Sequence, residues 1–200
     1  MIRVCIAGAT GWAGAELAKG IAGASDLALA GAVARKGAGK MLGDILGDPR
    51  LAVPVSSTVE EALDTPCDVL VEYTHPSSAR ANILTALEHG VHVVVGTSGL
   101  TNDDFAAIDT VARQQHRGVL ACGNFALTVV LLQRFAEIAA RFIPQWEIIE
   151  YAHDDKPDAP SGTARELAAL VGRVRAPAPT VAPQDTVGIP EARGATVAGS

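Results

Sequence analysis

The sequence predicts an α/β fold, a doubly wound parallel sheet followed by a smaller unit of different pattern. Three observations carry this. Five short apolar runs alternate with segments of helical period over the first 122 or so residues. Residues 67–73 are almost continuously apolar, as a parallel strand buried on both faces requires. A glycine-rich turn directly follows the first run and opens the first helical segment.

Taken in order, residues 2–7 are β-branched and apolar and form the first strand, and from 12 to 22 apolar positions recur at helical spacing. A second strand covers 27–33 and leads into the basic, glycine-rich Arg35-Lys36-Gly37-Ala38-Gly39-Lys40. Residues 41–54 show no period and are expected to be loop with at most one helical turn. Residues 59–63 suggest a short helix and 67–73 the third strand. The alternation then repeats, with a helix over 77–89 capped by Ser77 or Ser78, a strand over 91–95, a helix over 102–115 and a strand over 118–121. Beyond this the pattern changes to a long helix (128–142), a strand (146–151) and a helix (161–174) started by Pro160-Ser161-Gly162-Thr163. After Ala176 the composition turns to Pro, Ala, Gly and Thr, and the expectation is a C-terminally incomplete second domain.

Sixteen Lys and Arg against 22 Asp and Glu give a net charge of −6, with no long basic stripe, so nucleic-acid binding lacks its electrostatic footprint. No apolar stretch reaches membrane-spanning length and no charged start precedes an h-region, so no membrane partner and a cytoplasmic location are expected. Cys5, Cys67 and Cys122 are scattered beside apolar runs, which predicts small buried hydrophobes, no disulfide framework and no metal site.

Gly8-Ala9-Thr10-Gly11-Trp12-Ala13-Gly14 sits between a strand and a helix, where glycines permit a tight turn and the close approach of a pyrophosphate, and the helix N-terminus supplies free N–H groups. A purely structural turn is the alternative. Where an NAD-preferring site places a carboxylate after the second strand, this chain has Arg35 and Lys36, which suit a 2′-phosphate unless they are a solvated pair. Tyr73-Thr74-His75-Pro76, Gly96-Thr97-Ser98-Gly99 and Gly123-Asn124-Phe125 follow strands at the edge where open α/β sheets bind ligands, although such turns also use Thr, Ser and Gly as caps. His89, His92 and His116 have no companion ligands and are expected to be structural.

The densest polar cluster runs from Glu150 to Ala164. Ser161, Gly162 and Thr163 at a helix N-terminus, with Lys156, form an anion site, and His153 can exchange protons near neutral pH. Alternatively, Asp158 or Ser161 caps the helix and Lys156 pairs with Asp154 or Asp155.

At these residues the chain resembles the dihydrodipicolinate reductases, also called 4-hydroxy-tetrahydrodipicolinate reductases. Lys156-Pro157-Asp158-Ala159-Pro160-Ser161-Gly162-Thr163-Ala164 is similar to their K-x-D-A-P-S-G-T-A signature, Tyr73-Thr74-His75-Pro76 to F-T-x-P, Gly96-Thr97-Ser98-Gly99 to G-T-T-G, and Asn124-Phe125 to the start of N-F-S. The resemblance, which spans residues 1–174, implies a Rossmann-like NAD(P)-binding domain over 1–125 and a partial α+β substrate and oligomerisation domain over 126–200. It also implies reduction of a cyclic pyridine dicarboxylate of the diaminopimelate route to lysine by NADPH or NADH, in a homotetramer.

Carried over by residue, Gly8, Gly11 and Gly14, with Thr10, Trp12 and Ala13 between them, take the pyrophosphate. Arg35 and Lys36 take the adenosine side. Gly96 and Ser98 face the nicotinamide, with Thr74, Thr97, Gly123 and Phe125 completing the cofactor site. Lys156 is implied as catalytic, His153 as catalytic and substrate-binding, and Ser161, Gly162 and Thr163 as the grip on a substrate carboxylate.

There are departures. Ala152 stands where the family has its proton-donating histidine, and Ala126, Thr128 and Val130 replace a Ser and a Gly-Val-Asn. Loss of a positioned general acid costs about 10²–10⁴-fold in rate. Lys156, His153 or a bound water must then take the role; otherwise the chain is a reductase of another anionic imine or carbonyl, or a nucleotide binder without turnover.

Overall fold

The computed structural model describes residues 1–122, 124–152 and 159–188. Within them β1 (Ile2–Ala7) shows how the sheet is held: Cys5 and Ala7 enter one apolar core while Val4 and Ile6 enter another, the period of two that a strand covered on both faces demands. Around β1 lie β2 (Leu27–Val33), β3 (Val55–Ser56), β4 (Val69–Glu72), β5 (His92–Val95) and β6 (Val119–Ala121), in the spatial order β3-β2-β1-β4-β5-β6 with every pair parallel. This is the doubly wound Rossmann-like sheet, whose order reverses between β1 and β4.

Helices cover both faces. α1 (Trp12–Gly23) and the single-turn α2 (Leu42–Leu46) close the core containing Ile6, Ala18, Ile21, Leu42 and Val55. On the other face α3 (Val59–Leu63), α4 (Pro76–Glu88) and α5 (Asn102–Gln115) contribute Val59, Ile83, Leu87 and Ile108 to the core containing Leu70, Val93 and Val95. At the N-terminal edge Arg3 makes two side-chain bonds to Asp68, at 3.1 and 2.7 Å, and its backbone N–H donates a third at 2.8 Å, pinning β1 to the start of β4.

The chain divides into two units, Met1–Cys122 and Gly123–Ser200. In the second, α6 (Leu127–Ala140) packs on α7 (Gly162–Val174), with Gln133 donating to Glu166 at 3.0 Å. α6 also keeps Leu127, Leu131, Phe135 and Ile138 exposed along one stripe.

The structure corrects four expectations. Residues 41–54 hold one helical turn, α2, as expected, but directly after them Val55 and Ser56 form a strand not foreseen, β3, which pairs with Ala32 and Val33; two residues are too few to show an alternation. Residues 146–151 form no strand, because no described segment offers them a backbone ladder; Trp146 instead donates its indole N–H to the Arg175 carbonyl at 3.1 Å. The cap of α4 is His75, not Ser77 or Ser78: Pro76 fills the first helical position, where a missing N–H costs nothing, and this moves the start forward. Of the cysteines, Cys5 is buried and Cys67 half-buried, but Cys122 is exposed at the end of the edge strand.

Candidate functional site

The C-terminal edge of the sheet gathers most of the expected cofactor residues. Gly8 has φ +89°, a conformation L side chains rarely adopt, and a Cβ there would enter the Tyr73 carbonyl. A Cβ at Gly14 would run into the Gly8 carbonyl, and one at Gly11 would stand 3.2 Å from the same oxygen. Gly8 and Ala9 donate their N–H groups to the Val33 carbonyl at 2.9 and 3.1 Å, and Gly11 donates to Gly8 at 2.9 Å. The turn is thus drawn flat onto β2 and β4.

α1 then starts at Trp12 with Gly11 as cap, with no side-chain cap bond and no acidic residue in the first turn. Its positive end and unsatisfied N–H groups are open to an anion. A backbone cradle that side chains would fill, beneath an uncapped helix end, fits a dinucleotide pyrophosphate. Thr10 and Ala13 are half-buried within the turn, while the Trp12 side chain is 92% exposed beside it.

Arg35 and Lys36 follow β2 and are exposed, and no described carboxylate forms an ion pair with either. Both cations remain available to a phosphate at this edge.

The turns after β4 and β5 meet at Glu72, a residue the sequence reading passed over. Its side chain is fully buried. Oε1 accepts from the Thr74 N–H at 2.7 Å, from the Thr74 hydroxyl and from the Thr97 hydroxyl at 3.2 Å; Oε2 accepts from Asn82 Nδ2 at 2.9 Å. The Glu72 carbonyl accepts from the N–H groups of Gly96 and Thr97 at 2.9 and 3.2 Å. Burial pushes the Glu72 carboxyl above its ordinary range, and the four donated bonds oppose this. Gly96 has no room for a Cβ, because the Tyr73 ring lies against it. Ser98 is exposed on the same turn. The only sequence signal for Glu72 was an acid ending the apolar run Val69-Leu70-Val71.

The histidines of this unit serve the backbone. His75 Nδ1 accepts from the Ser77 N–H at 3.3 Å, His92 Nδ1 accepts from Gly118 at 2.9 Å, and His89 Nδ1 donates to the Thr85 carbonyl at 2.8 Å. His116, with φ 52°, ends α5. A recess lined by Phe105, Ile108, Ala112, Arg113, Arg117 and Val119 runs along α5 and β6 and holds none of the expected site residues.

In the second unit Ser161 caps α7, its hydroxyl accepting from the Ala164 N–H at 3.0 Å, and its own N–H donates to Glu150 Oε2 at 2.8 Å. Among the described residues no acceptor takes the N–H groups of Gly162 and Thr163, and the first turn of α7 has no acidic residue. These are the properties of an anion grip. The Thr163 hydroxyl is held by Asn124 Nδ2 at 3.4 Å, and Asn124 Oδ1 accepts from the Ala126 N–H at 2.8 Å. Phe125 is partly exposed beside it. Ala152 is exposed. His153, Lys156 and Gly123 lie outside the described residues.

Comparison with known proteins agrees with both halves. The family profile described as dihydrodipicolinate reductase, N-terminus, matches residues 2–125, and that described as dihydrodipicolinate reductase, C-terminus, matches 128–200. The chain is 38% identical over 200 residues to the 4-hydroxy-tetrahydrodipicolinate reductase of Halalkalibacterium halodurans, covering all of this chain and 76% of that protein. It is 36% identical over 199 residues to that of Enterococcus faecalis, again covering 100% and 76%. The dipicolinate-bound dihydrodipicolinate reductase of Paenisporosarcina sp. TG-14 superposes with a TM-score of 0.77 at 32% identity, over 100% of this chain and 76% of that one.

Proposed function

Since this chain belongs to the dihydrodipicolinate reductase family, we propose that it reduces 4-hydroxy-tetrahydrodipicolinate, or the dihydrodipicolinate it yields on loss of water, to tetrahydrodipicolinate with NAD(P)H, in the diaminopimelate route to lysine. The observation that carries this reading is the presence in one chain of a dinucleotide cradle after β1 and a hydroxyl-rich anion grip at the start of α7, where the N–H groups of Gly162 and Thr163 have no acceptor among the described residues. NAD(P)H, when bound, supplies the hydride; the chain's residues do the rest.

Residues 1–125 form the NAD(P)-binding domain in this account and 126–200 the substrate and oligomerisation domain. Gly8, Thr10, Gly11, Trp12, Ala13 and Gly14 hold the pyrophosphate, and the N–H groups at the start of α1 face its charge. Arg35 and Lys36, unpaired among the described residues, grip a 2′-phosphate and favour NADPH. Thr74, Gly96, Thr97, Ser98, Gly123 and Phe125 receive the nicotinamide end.

Ser161, Gly162 and Thr163 bind one carboxylate of the dicarboxylate substrate, with Asn124 steadying the Thr163 hydroxyl. His153 and Lys156 bind and orient the substrate and hold the proton that completes the reduction, a role Ala152 cannot fill. The net charge of −6 without a basic stripe supports a small-molecule role with neither nucleic acid nor membrane as partner. No helix among the described residues is long and apolar enough to cross a membrane. The working form is a cytoplasmic homotetramer.

The test follows NADPH consumption with freshly generated substrate. We expect turnover in the parent, a fall of about 10²-fold or more in Lys156→Ala, and a rise in Ala152→His, since a positioned acid contributes about 10²–10⁴-fold. NADPH binding without turnover, indifferent to both substitutions, would overturn the reading.

A further inference from the structure

Glu72 is a fully buried carboxylate with no cation among the described residues to neutralise it, yet it has a use that the reduction as described above leaves unassigned. A lone ionisable group in an interior is costly, and an apolar side chain at the end of β4 would pack without that cost. What the carboxylate does instead is join three elements. Through Oε1 it takes the N–H and hydroxyl of Thr74 on the turn after β4 and the hydroxyl of Thr97, at 3.2 Å, on the turn after β5; through Oε2 it takes Asn82 of α4 at 2.9 Å. Its backbone carbonyl binds the same β5 turn at Gly96 and Thr97.

We propose that Glu72 is a positioning residue for the cofactor: its carboxylate clamps the β4 turn to the β5 turn and fixes Thr74 and Thr97 in the shape that receives the nicotinamide end of the dinucleotide. This rests on the reading that the C-terminal sheet edge is the cofactor's. The Thr97 hydroxyl lies 3.2 Å from Glu72 Oε1 and 3.4 Å from the carbonyls of Glu72 and Thr74, so its proton points into the clamp and a ligand meets it as an acceptor. The clamp therefore sets polarity as well as position, and the groups it suits are ribose hydroxyls and the carboxamide NH₂. The adenosine side of the cofactor, held after β2, is out of its reach.

That asymmetry supplies the test, made on the full chain by calorimetry with two probes, NADPH and adenosine 2′,5′-bisphosphate, the second of which lacks the nicotinamide end. Glu72→Met removes both acceptor oxygens at similar volume. We expect its NADPH dissociation constant to rise about tenfold, the scale of one lost hydrogen-bonded contact network, while that for the bisphosphate stays within about twofold. Glu72→Gln, which keeps an oxygen for Thr74 and Thr97 and lets Asn82 turn its carbonyl to the new amide, should recover most of the NADPH affinity. If Glu72→Met does not fold, Asn82→Leu, which removes the bond to Oε2 and the longer one to the Thr74 hydroxyl at 3.4 Å, is expected to show the same selective weakening. Unchanged NADPH affinity, or equal weakening toward both probes, would overturn the clamp and leave Glu72 a part of the fold only. A parent that binds NADPH but reduces no dicarboxylate would defeat the proposed function while leaving the clamp measurable; a parent that binds neither probe would defeat both.

Discussion

At the residue scale the charged pairs of the first unit lie outside the candidate site, so their effects on stability can be read without disturbing it. Asp68 receives the Arg3 guanidinium and the Arg3 backbone N–H, and these bonds hold its carboxyl well below the usual carboxylate range, with burial opposing them. A carboxyl depressed in the folded state adds stability above its unfolded value, and that stability is lost as pH falls toward the folded one. Melting temperatures of Asp68→Asn should therefore fall below the parent's at neutral pH. They should then draw closer to it as the pH falls below about 5, where the unfolded carboxyl begins to take up its proton, with the last of the difference lost only when the folded carboxyl is protonated at still lower pH. Parallel curves would show that the pair contributes nothing. The tight turn at Gly8 and Gly14 was legible in the sequence because glycines so spaced between an apolar run and a helical segment mark a close backbone approach. Glu72 was not, since an acid at a strand end ordinarily points to solvent, and only the fold shows it enclosed by Thr74, Asn82 and Thr97.

At the scale of elements, legibility followed from how much of each element its own residues determine. β1, β2, β4, β5 and β6 are apolar runs closed by turns, and their cores alternate as the residues do. β3 depends on pairing with Ala32 and Val33, which no two-residue stretch announces. Residues 146–151 have the composition of a strand but no backbone ladder with any described segment, and a strand is a property of a pair. α5 is the opposite case, since its start is written locally. The Thr101 hydroxyl accepts from the Asp104 N–H at 3.2 Å and the Asp104 carboxylate takes the Thr101 N–H at 2.9 Å, a complete capping box. Thr101→Ala should cost about 1 kcal/mol in chemical denaturation, the usual loss for a cap, with cofactor binding unchanged. A loss under a few tenths would mean that packing of Ile108 and Ala112 alone fixes this helix.

At the scale of the whole chain, the proposed function divides its chemistry between the two units, with the cradle after β1 in one and the grip at α7 in the other. The chain spans 76% of the length of the H. halodurans and E. faecalis relatives it matches. The alternating runs anticipated the sheet. The proton source was out of reach, because Ala152 removes the residue type that would have marked it. The most direct measurement is isotopic. The chain is incubated with freshly generated 4-hydroxy-tetrahydrodipicolinate and NADPH carrying deuterium at both C4 positions, and the product is weighed by mass spectrometry. The account predicts tetrahydrodipicolinate carrying one deuterium, formed in step with NADP⁺. Product without deuterium, or no product from a chain that binds NADPH, would contradict it.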